Sequence, residues 1–229
     1  MSFAFSPSNL STFRQCPRKF QAQSITKEIK WQASQQKSRG TLVHTALEKA
    51  TKRGFDSVQS WPDGLDMSFV QSRINTVRQC VASGADVFNE HELAITRSMK
   101  PSDWWDENTW LRAKADLVIL PIQQDLPVVV VVDYKTGKKW DEDDFQLRLE
   151  ALLLYFIYGR PRVQYSYWYV DQGDTVSGLL DFSQSMDSVV DIVGLIRQAE
   201  LAINGNNFFP KKNRFCKWCG LYKTPGCGL

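Results

Sequence analysis

Five consecutive valines, Val128 to Val132, run directly into Asp133-Tyr-Lys135-Thr-Gly137, and no other stretch restricts the possible folds as much. A five-residue β-branched run cannot present a polar face as an amphipathic helix. It favours a strand, and one apolar on both sides must be covered on both sides. Thr136-Gly137 closes the strand with turn chemistry. Strand side chains alternate, so Asp133 and Lys135 point one way and Tyr134 the other. An acid and a base therefore stand together at the end of a buried strand.

The surrounding segments supply the layers such a strand needs. Residues 6–22 have Ser6 or Ser8 as a helix cap and a helical spacing of Leu10, Phe13 and Phe20, interrupted at Cys16-Pro17. Residues 23–36 read as a polar loop and 38–53 as a helix with Leu42, Val43, Ala46, Leu47 and Ala50 on one stripe, stopped by Gly54. A second helix is expected over 66–90, then strands over 91–99 and 109–120, then the valine strand. Residues 121–127 fit a short connection. Asp141, Glu142 and Asp143 suit the first turn of a helix over 141–158, apolar nearly all round and hence buried. Two strands, 163–170 and 175–182, meet across Gln172-Gly173, and 184–204 is a last amphipathic helix. The order helix, three strands, helix, strand predicts an α/β fold with a mixed central sheet flanked by helices.

At 229 residues the chain is long enough for one large domain, and 43% hydrophobic with 23% charged residues is the balance of a globular protein. No apolar run reaches the ~20 residues of a membrane helix. The opening Met-Ser-Phe-Ala-Phe lacks a basic region followed by an apolar stretch, so an intracellular, reducing compartment is expected. The net charge of +3 is mild, but basic residues cluster at Arg14-Arg18-Lys19, Lys138-Lys139 and Lys211-Lys212-Arg214. Eight tryptophans, with Trp104, Trp105, Trp110 and Trp140 near turns, accompany them. Phosphate pairing and base stacking by such residues suit a nucleic-acid strand, although solvated faces account for most basic clusters.

Reduced cysteines need another purpose than disulfides. Cys216-Lys-Trp-Cys219 and the nearby Cys227 lie in an irregular basic tail, which suits metal binding, and Cys16 in its Cys-Pro corner offers a fourth thiolate two hundred residues upstream. Cys80, on an apolar helix face, reads as structural. A lone cysteine plus three leans towards an iron–sulfur cluster, with zinc as the alternative. Phosphodiester cleavage needs an oxygen-ligated divalent cation, held by one or two carboxylates, and a nearby cation. Asp116, Asp133 and Lys135 can supply this set, with His44 adding an imidazole. Taken singly, His44 fits a buried or i,i+4-paired histidine better than a ligand and Asp116 a solvated strand residue, and it is the Gly40 spacing and the neighbouring Asp133–Lys135 strand that turn both readings.

Asp133-Tyr-Lys135 resembles the D-x-K core of the PD-(D/E)XK nucleases, in the RecB-like branch that carries an iron–sulfur cluster, and the likeness extends along nearly the whole chain. Residues 6–20, through Cys16-Pro-Arg-Lys-Phe, resemble the opening helix of AddB-type nuclease domains and CRISPR adaptation nucleases; Gly40-Thr-Leu-Val-His44 matches the G-x-x-x-H helix; residues 208–219 resemble the C-terminal cluster motif. The resemblance implies a restriction-endonuclease-like α-β-β-β-α-β core over 37–182 of a single nuclease domain spanning 1–229. Its ends, 1–36 and 205–229, would be joined by a [4Fe-4S] cluster on Cys16, Cys216, Cys219 and Cys227. It further implies Mg²⁺ or Mn²⁺ on His44, Asp116, Asp133 and the Tyr134 carbonyl, with Lys135 and Gln146 completing the catalytic set. The family's Gln-x-x-x-Tyr pattern is broken, since Glu150 stands where the tyrosine belongs and Tyr155 is out of phase. Glu92 is a further, weaker match to an acidic position of the first strand.

The activity so implied is metal-dependent hydrolysis of DNA, as an exonuclease on single strands or ends, in replication, recombination or DNA processing. Arg14, Arg18, Lys19, Lys138, Lys139, Lys211 and Arg214 are the candidate phosphate contacts. Two alternatives stand beside it. One is a non-catalytic nucleic-acid-binding module on a nuclease scaffold, against which the intact Asp133–Lys135 pair argues. The other is an iron–sulfur redox protein, for which no substrate-pocket motif is present.

Overall fold

A computed structural model describes residues 3–29, 35–52, 54–122, 128–137 and 144–228. The expectations placed on Lys138, Lys139, Trp140 and the acidic run 141–143 lie outside the described residues. The chain separates into two compact units, Ala33–Met186 and Phe3–Gln32 with Asp187–Leu229.

The second unit opens with α1 (Pro7–Gln15). Ser6 Oγ accepts from the Asn9 amide and Asn9 Oδ1 accepts from the Ser6 amide, a reciprocal cap that satisfies two otherwise orphaned donors. Cys16 leaves the helix in an extended conformation, and Pro17 begins α2 (Pro17–Phe20), which continues into a π-helical turn, Gln21–Ile25. Proline suits a first helical position because it lacks only an N–H that would be unpaired there. Phe13, Phe20 and Phe208 pack together, with ring centroids 5.4 and 6.2 Å from Phe20.

The first unit holds α3 (Gln35–Thr51), α4 (Met67–Ala82), β1 (Asp86–Thr96), β2 (Thr109–Leu120), β3 (Val128–Lys135), α5 (Phe145–Tyr158), β4 (Arg162–Tyr169) and β5 (Asp174–Asp181). The strands form one sheet in the order β1-β2-β3-β4-β5. All neighbours are antiparallel except β3 and β4, the parallel pair that α5 connects. This is the predicted restriction-endonuclease-like α/β arrangement, a mixed sheet flanked by helices. Back in the second unit, the chain continues through α6 (Asp187–Asn204) to an irregular tail with one 3₁₀ turn, Cys216–Trp218.

The valine strand is covered on both faces, for the adjacent Val131 and Val132 are both fully buried. Val43, Leu47 and Ala50 of α3 and Val70, Ile74 and Val77 of α4 pack with Leu117, Ile119, Val132 and Tyr134. Truncating a buried leucine such as Leu47 to alanine costs about 2–5 kcal/mol, so this layer holds β2 and β3 firmly. The helix expected over 66–90 ends eight residues early, at Ala82, and β1 starts at Asp86. Gly84 is the reason. At φ 90° it takes the left-handed conformation, and Ala85 N donates to Cys80 O at 3.0 Å, closing the helix.

Candidate active site

Three elements bring their polar residues to one place. Past the pairs Leu117–Val132 and Val118–Val131 the β2–β3 ladder stops, and Asp116 fills the gap with its side chain: Tyr134 N donates to Asp116 Oδ2 at 2.8 Å. His44, on α3, completes the arrangement. Its Nδ1 lies 3.2 Å from Asp116 Oδ1 and its Nε2 lies 2.9 Å from the Tyr134 carbonyl. The Tyr134 side chain points away into the core, as strand alternation predicts, with its hydroxyl 3.5 Å from Thr51 Oγ1.

Glu90 is the residue the sequence reading missed. Asn89 pairs with Leu117 and His91 with Ala115, so Glu90 lies across from Asp116 on the neighbouring strand. His44, Glu90 and Asp116 each offer a ligand atom, and these atoms lie within 4.8 Å of one another. Glu90 has a left-handed backbone, φ 49°, which costs a non-glycine residue on the order of 1 kcal/mol. The helix expected over 66–90 covers Glu90, which leaves Glu92, exposed in the structure, as the acidic match in the sequence. The Gly84 stop signal was the means of finding Glu90. An open cleft of about 680 Å³ is lined by these three residues together with Gly40, Thr41, Glu48, Lys114 and Thr136.

Asp133 and Lys135 lie side by side as expected, with Lys135 Nζ 2.9 Å from Asp133 Oδ2. Gln146, on the first turn of α5, donates to Asp133 Oδ1 at 2.6 Å and to Glu150 Oε1 at 3.0 Å. Glu150 is buried beside this pair. It is 1% exposed, and its Oε2 has no hydrogen-bond partner among the described residues. Tyr155 is outside this group and stacks on Phe182 at 4.8 Å.

The electrostatics follow from burial. Desolvation pushes Asp133 up to about 6, against the pull of Lys135 and with the push of Asp116. Burial and then the Asp133 charge hold Glu150 well above the usual carboxylate range, although Gln146 opposes them. Burial draws His44 down, but the hydrogen bond and charge of Asp116, with help from Asp133, leave it raised overall.

The donor set suits a hard divalent cation. Carboxylate oxygens, a backbone carbonyl and one imidazole are the ligands Mg²⁺ and Mn²⁺ accept. Neighbouring ligands on an octahedral ion bound at 2.0–2.1 Å stand about 3 Å apart. The 2.9 Å between His44 Nε2 and the Tyr134 carbonyl matches that spacing.

Cys16, Cys216, Cys219 and Cys227 belong to the second unit, and Cys80, on α4, to the first. Cys16 Sγ accepts from the Lys211 amide at 3.4 Å and Cys216 Sγ from the Asn213 amide at 3.2 Å. Asn213 Nδ2 donates to Gln15 O at 3.0 Å, and Arg18 Nε donates to Gly226 O at 2.7 Å, so residues beside Cys16 touch residues beside Cys216 and Cys227. Among the described residues, no three of the cysteine sulfurs lie within 4.8 Å of one another as thiolates on a single ion would. Arg18 also pairs with Glu28 at 2.6 Å, whereas Arg14 and Arg214 are exposed and Lys19 is half-buried. Lys211, also exposed, donates from Nζ to Arg14 O at 3.3 Å.

Among the described residues no helix is long and apolar enough to cross a membrane. Several solved structures are similar to this chain, three of them as follows. The crystal structure of SSO0001 is 14% identical, with a TM-score of 0.48 over 100% of this chain and 89% of that one. An alkaline exonuclease, LHK-Exo, from Laribacter hongkongensis is 10% identical, with a TM-score of 0.35 over 89% of this chain and 91% of its own. The same exonuclease in complex with dAMP has a TM-score of 0.33 at 10% identity, over 86% and 91%. No curated protein matches by sequence. The sequence pattern of one family runs across residues 4–223, through the Asp133–Lys135 strand and His44, and by it the chain belongs to the PD-(D/E)XK nuclease superfamily.

Proposed function

We propose that this protein is a Mg²⁺- or Mn²⁺-dependent deoxyribonuclease of the RecB-like branch, acting as an exonuclease on single-stranded DNA or DNA ends. The observation that carries the reading is the meeting of His44, Glu90 and Asp116 in one cleft, with the Tyr134 carbonyl 2.9 Å from His44 and the paired Asp133 and Lys135 on either side of Tyr134 in β3. A bound divalent ion supplies Lewis acidity and a water acidified towards neutral pH. Asp116, Glu90, His44 and the Tyr134 carbonyl would hold it, with Asp133 as a further carboxylate. Gln146 fixes Asp133 from one oxygen and Lys135 from the other. The Lys135 ammonium orients the attacking water and faces the charge that develops on the phosphate.

The same proposal places a [4Fe-4S] cluster on Cys16, Cys216, Cys219 and Cys227 as a structural tie within the second unit. It is supported by the two backbone amides that donate to Cys16 and Cys216 sulfurs and by the Gln15–Asn213 and Arg18–Gly226 bonds. Arg14, Lys19, Lys211 and Arg214 would serve as phosphate contacts there.

The test is digestion of 5′- and 3′-labelled single-stranded, duplex and circular DNA with each metal, by the parent and by Asp116→Ala and Lys135→Ala. Mononucleotides released from one end, circular DNA spared, and a loss of roughly 100-fold or more in each variant are expected. Undiminished cleavage by both variants rejects the site. Binding without metal-dependent turnover in the parent means a binding module.

A further inference from the structure

The hairpin joining β1 to β2 carries two tryptophans that the cleavage site does not use. Trp105 is 82% exposed, so burial of its indole contributes little to the fold. It is not loose. Ser102 N donates to Ala94 O at 3.0 Å, Thr109 Oγ1 to Asp103 O at 2.8 Å and Asn108 N to Asp106 Oδ1 at 2.7 Å, which close the turn on both sides of it. The Arg112 guanidinium lies 4.7 Å from the Trp104 ring centroid and 5.2 Å from that of Trp105, and donates to the Trp104 carbonyl at 2.8 Å. The two indoles stand edge to face, 6.4 Å apart at 84°. One cation therefore sets the orientation of both rings.

The register links this cluster to the cleft. Leu111, Ala113 and Ala115 are buried, so Arg112, Lys114 and Asp116 project from the opposite side of β2. Lys114 is itself a wall of the cleft. From Asp116 to Arg112 the strand rises roughly 14 Å, the length of about four stacked nucleotides. A row of two cations ending in a fixed aromatic pair, Trp104 half-buried and Trp105 exposed, is the chemistry that holds an unpaired strand: phosphates on the cations, a base face on the exposed indole. A duplex offers a free base face only at its end, so the feature favours single-stranded substrate.

We propose that Trp105, held by Arg112 and Trp104, is a stacking platform for a base of the single-stranded substrate several nucleotides from the scissile bond, with Lys114 and Arg112 contacting the phosphates between. This rests on the nuclease reading for the identity of the strand, and its test does not require turnover. Binding of a fluorescein-labelled dT oligonucleotide, an abasic oligonucleotide of equal length and a blunt duplex is measured in EDTA for the full chain, Trp105→Ala and Trp105→Phe. The expected result is roughly 5- to 100-fold weaker dT binding by Trp105→Ala, partial recovery in Trp105→Phe, and little change for the abasic strand. Equal effects on all three probes, or none on dT, overturn the platform. So does a change in sedimentation on Trp105→Ala with dT binding intact, which marks the face as a contact between copies. Hydrolysis of bis-p-nitrophenyl phosphate with Mn²⁺ by the parent checks the nuclease reading separately.

Discussion

Tyr134 and Asp116 are joined across the end of the β2–β3 ladder by a single hydrogen bond, the Tyr134 amide to Asp116 Oδ2 at 2.8 Å. It replaces the missing backbone partner and turns Asp116 Oδ1 towards His44. Asp116→Asn retains the shape but loses the charge a divalent ion needs. Metal-dependent cleavage should fall by roughly 100-fold or more, while circular dichroism remains that of the parent. Loss of fold in this variant would mean that Asp116 serves the ladder and not the cation.

Glu90 should matter as much to metal affinity. It faces Asp116 from the neighbouring strand and pairs with Lys114 at 2.8 Å. Glu90→Gln is expected to weaken Mn²⁺ binding tenfold or more, and Glu92→Gln to leave it near the parent value. Calorimetric titration of Mn²⁺ into each variant measures this, and the opposite ranking would restore the acidic position to Glu92.

The buried carboxyls set a pH dependence. Asp133 and Glu150 are both held above their unfolded values, by burial first. Such groups contribute stability that is complete below the unfolded pKa, about 4, and lost as pH rises through the folded one, about 6 for Asp133. In EDTA, the protein should therefore melt at lower temperature at pH 8 than at pH 5 as far as these groups decide it. Glu150→Gln, which fixes the neutral form, should raise the melting temperature by a few degrees at pH 8 and hardly at all near pH 4. An equal gain at both pH values would assign the effect to packing.

Gln146 holds Asp133 and Glu150 together from α5, at 2.6 and 3.0 Å. Gln146→Ala leaves both carboxyls without that donor. We expect kcat to fall about tenfold with KM for DNA unchanged, because the residue acts by positioning Asp133. A rise in KM alone would place Gln146 on the substrate.

For the cysteines, anaerobically purified protein should show broad visible absorption with iron and sulfide in equal amounts. Cys16→Ser and Cys219→Ser should each abolish it, and Cys80→Ser, on α4 and packed beside the core, should not. A colourless parent containing zinc would reject the cluster.

Much of the site was legible because it is written in local chemistry. Val128 to Val132 can only be a covered strand, and alternation then sends Asp133 and Lys135 together and Tyr134 to the core. The Cys16-Pro17 corner and the cap at Ser6 are likewise properties of adjacent residues. Glu150 was not legible. Its fourfold spacing from Gln146 shows that they share a helix face, but only the packing of α5 takes that face out of water.

The sequence by itself determined which residues could do chemistry and which strand would carry the central pair, since these follow from side-chain type and a period of two. The tertiary structure alone decided which of them meet. Glu90 enters the cation cluster and Glu92 does not, because the β1–β2 register sets Glu90 across from Asp116. The same register points Arg112 and Lys114 to the side of Asp116 and leads from the cleft to Trp105. Register is a pairing between residues distant along the chain, selected by which apolar faces can be buried together, and no single strand contains it.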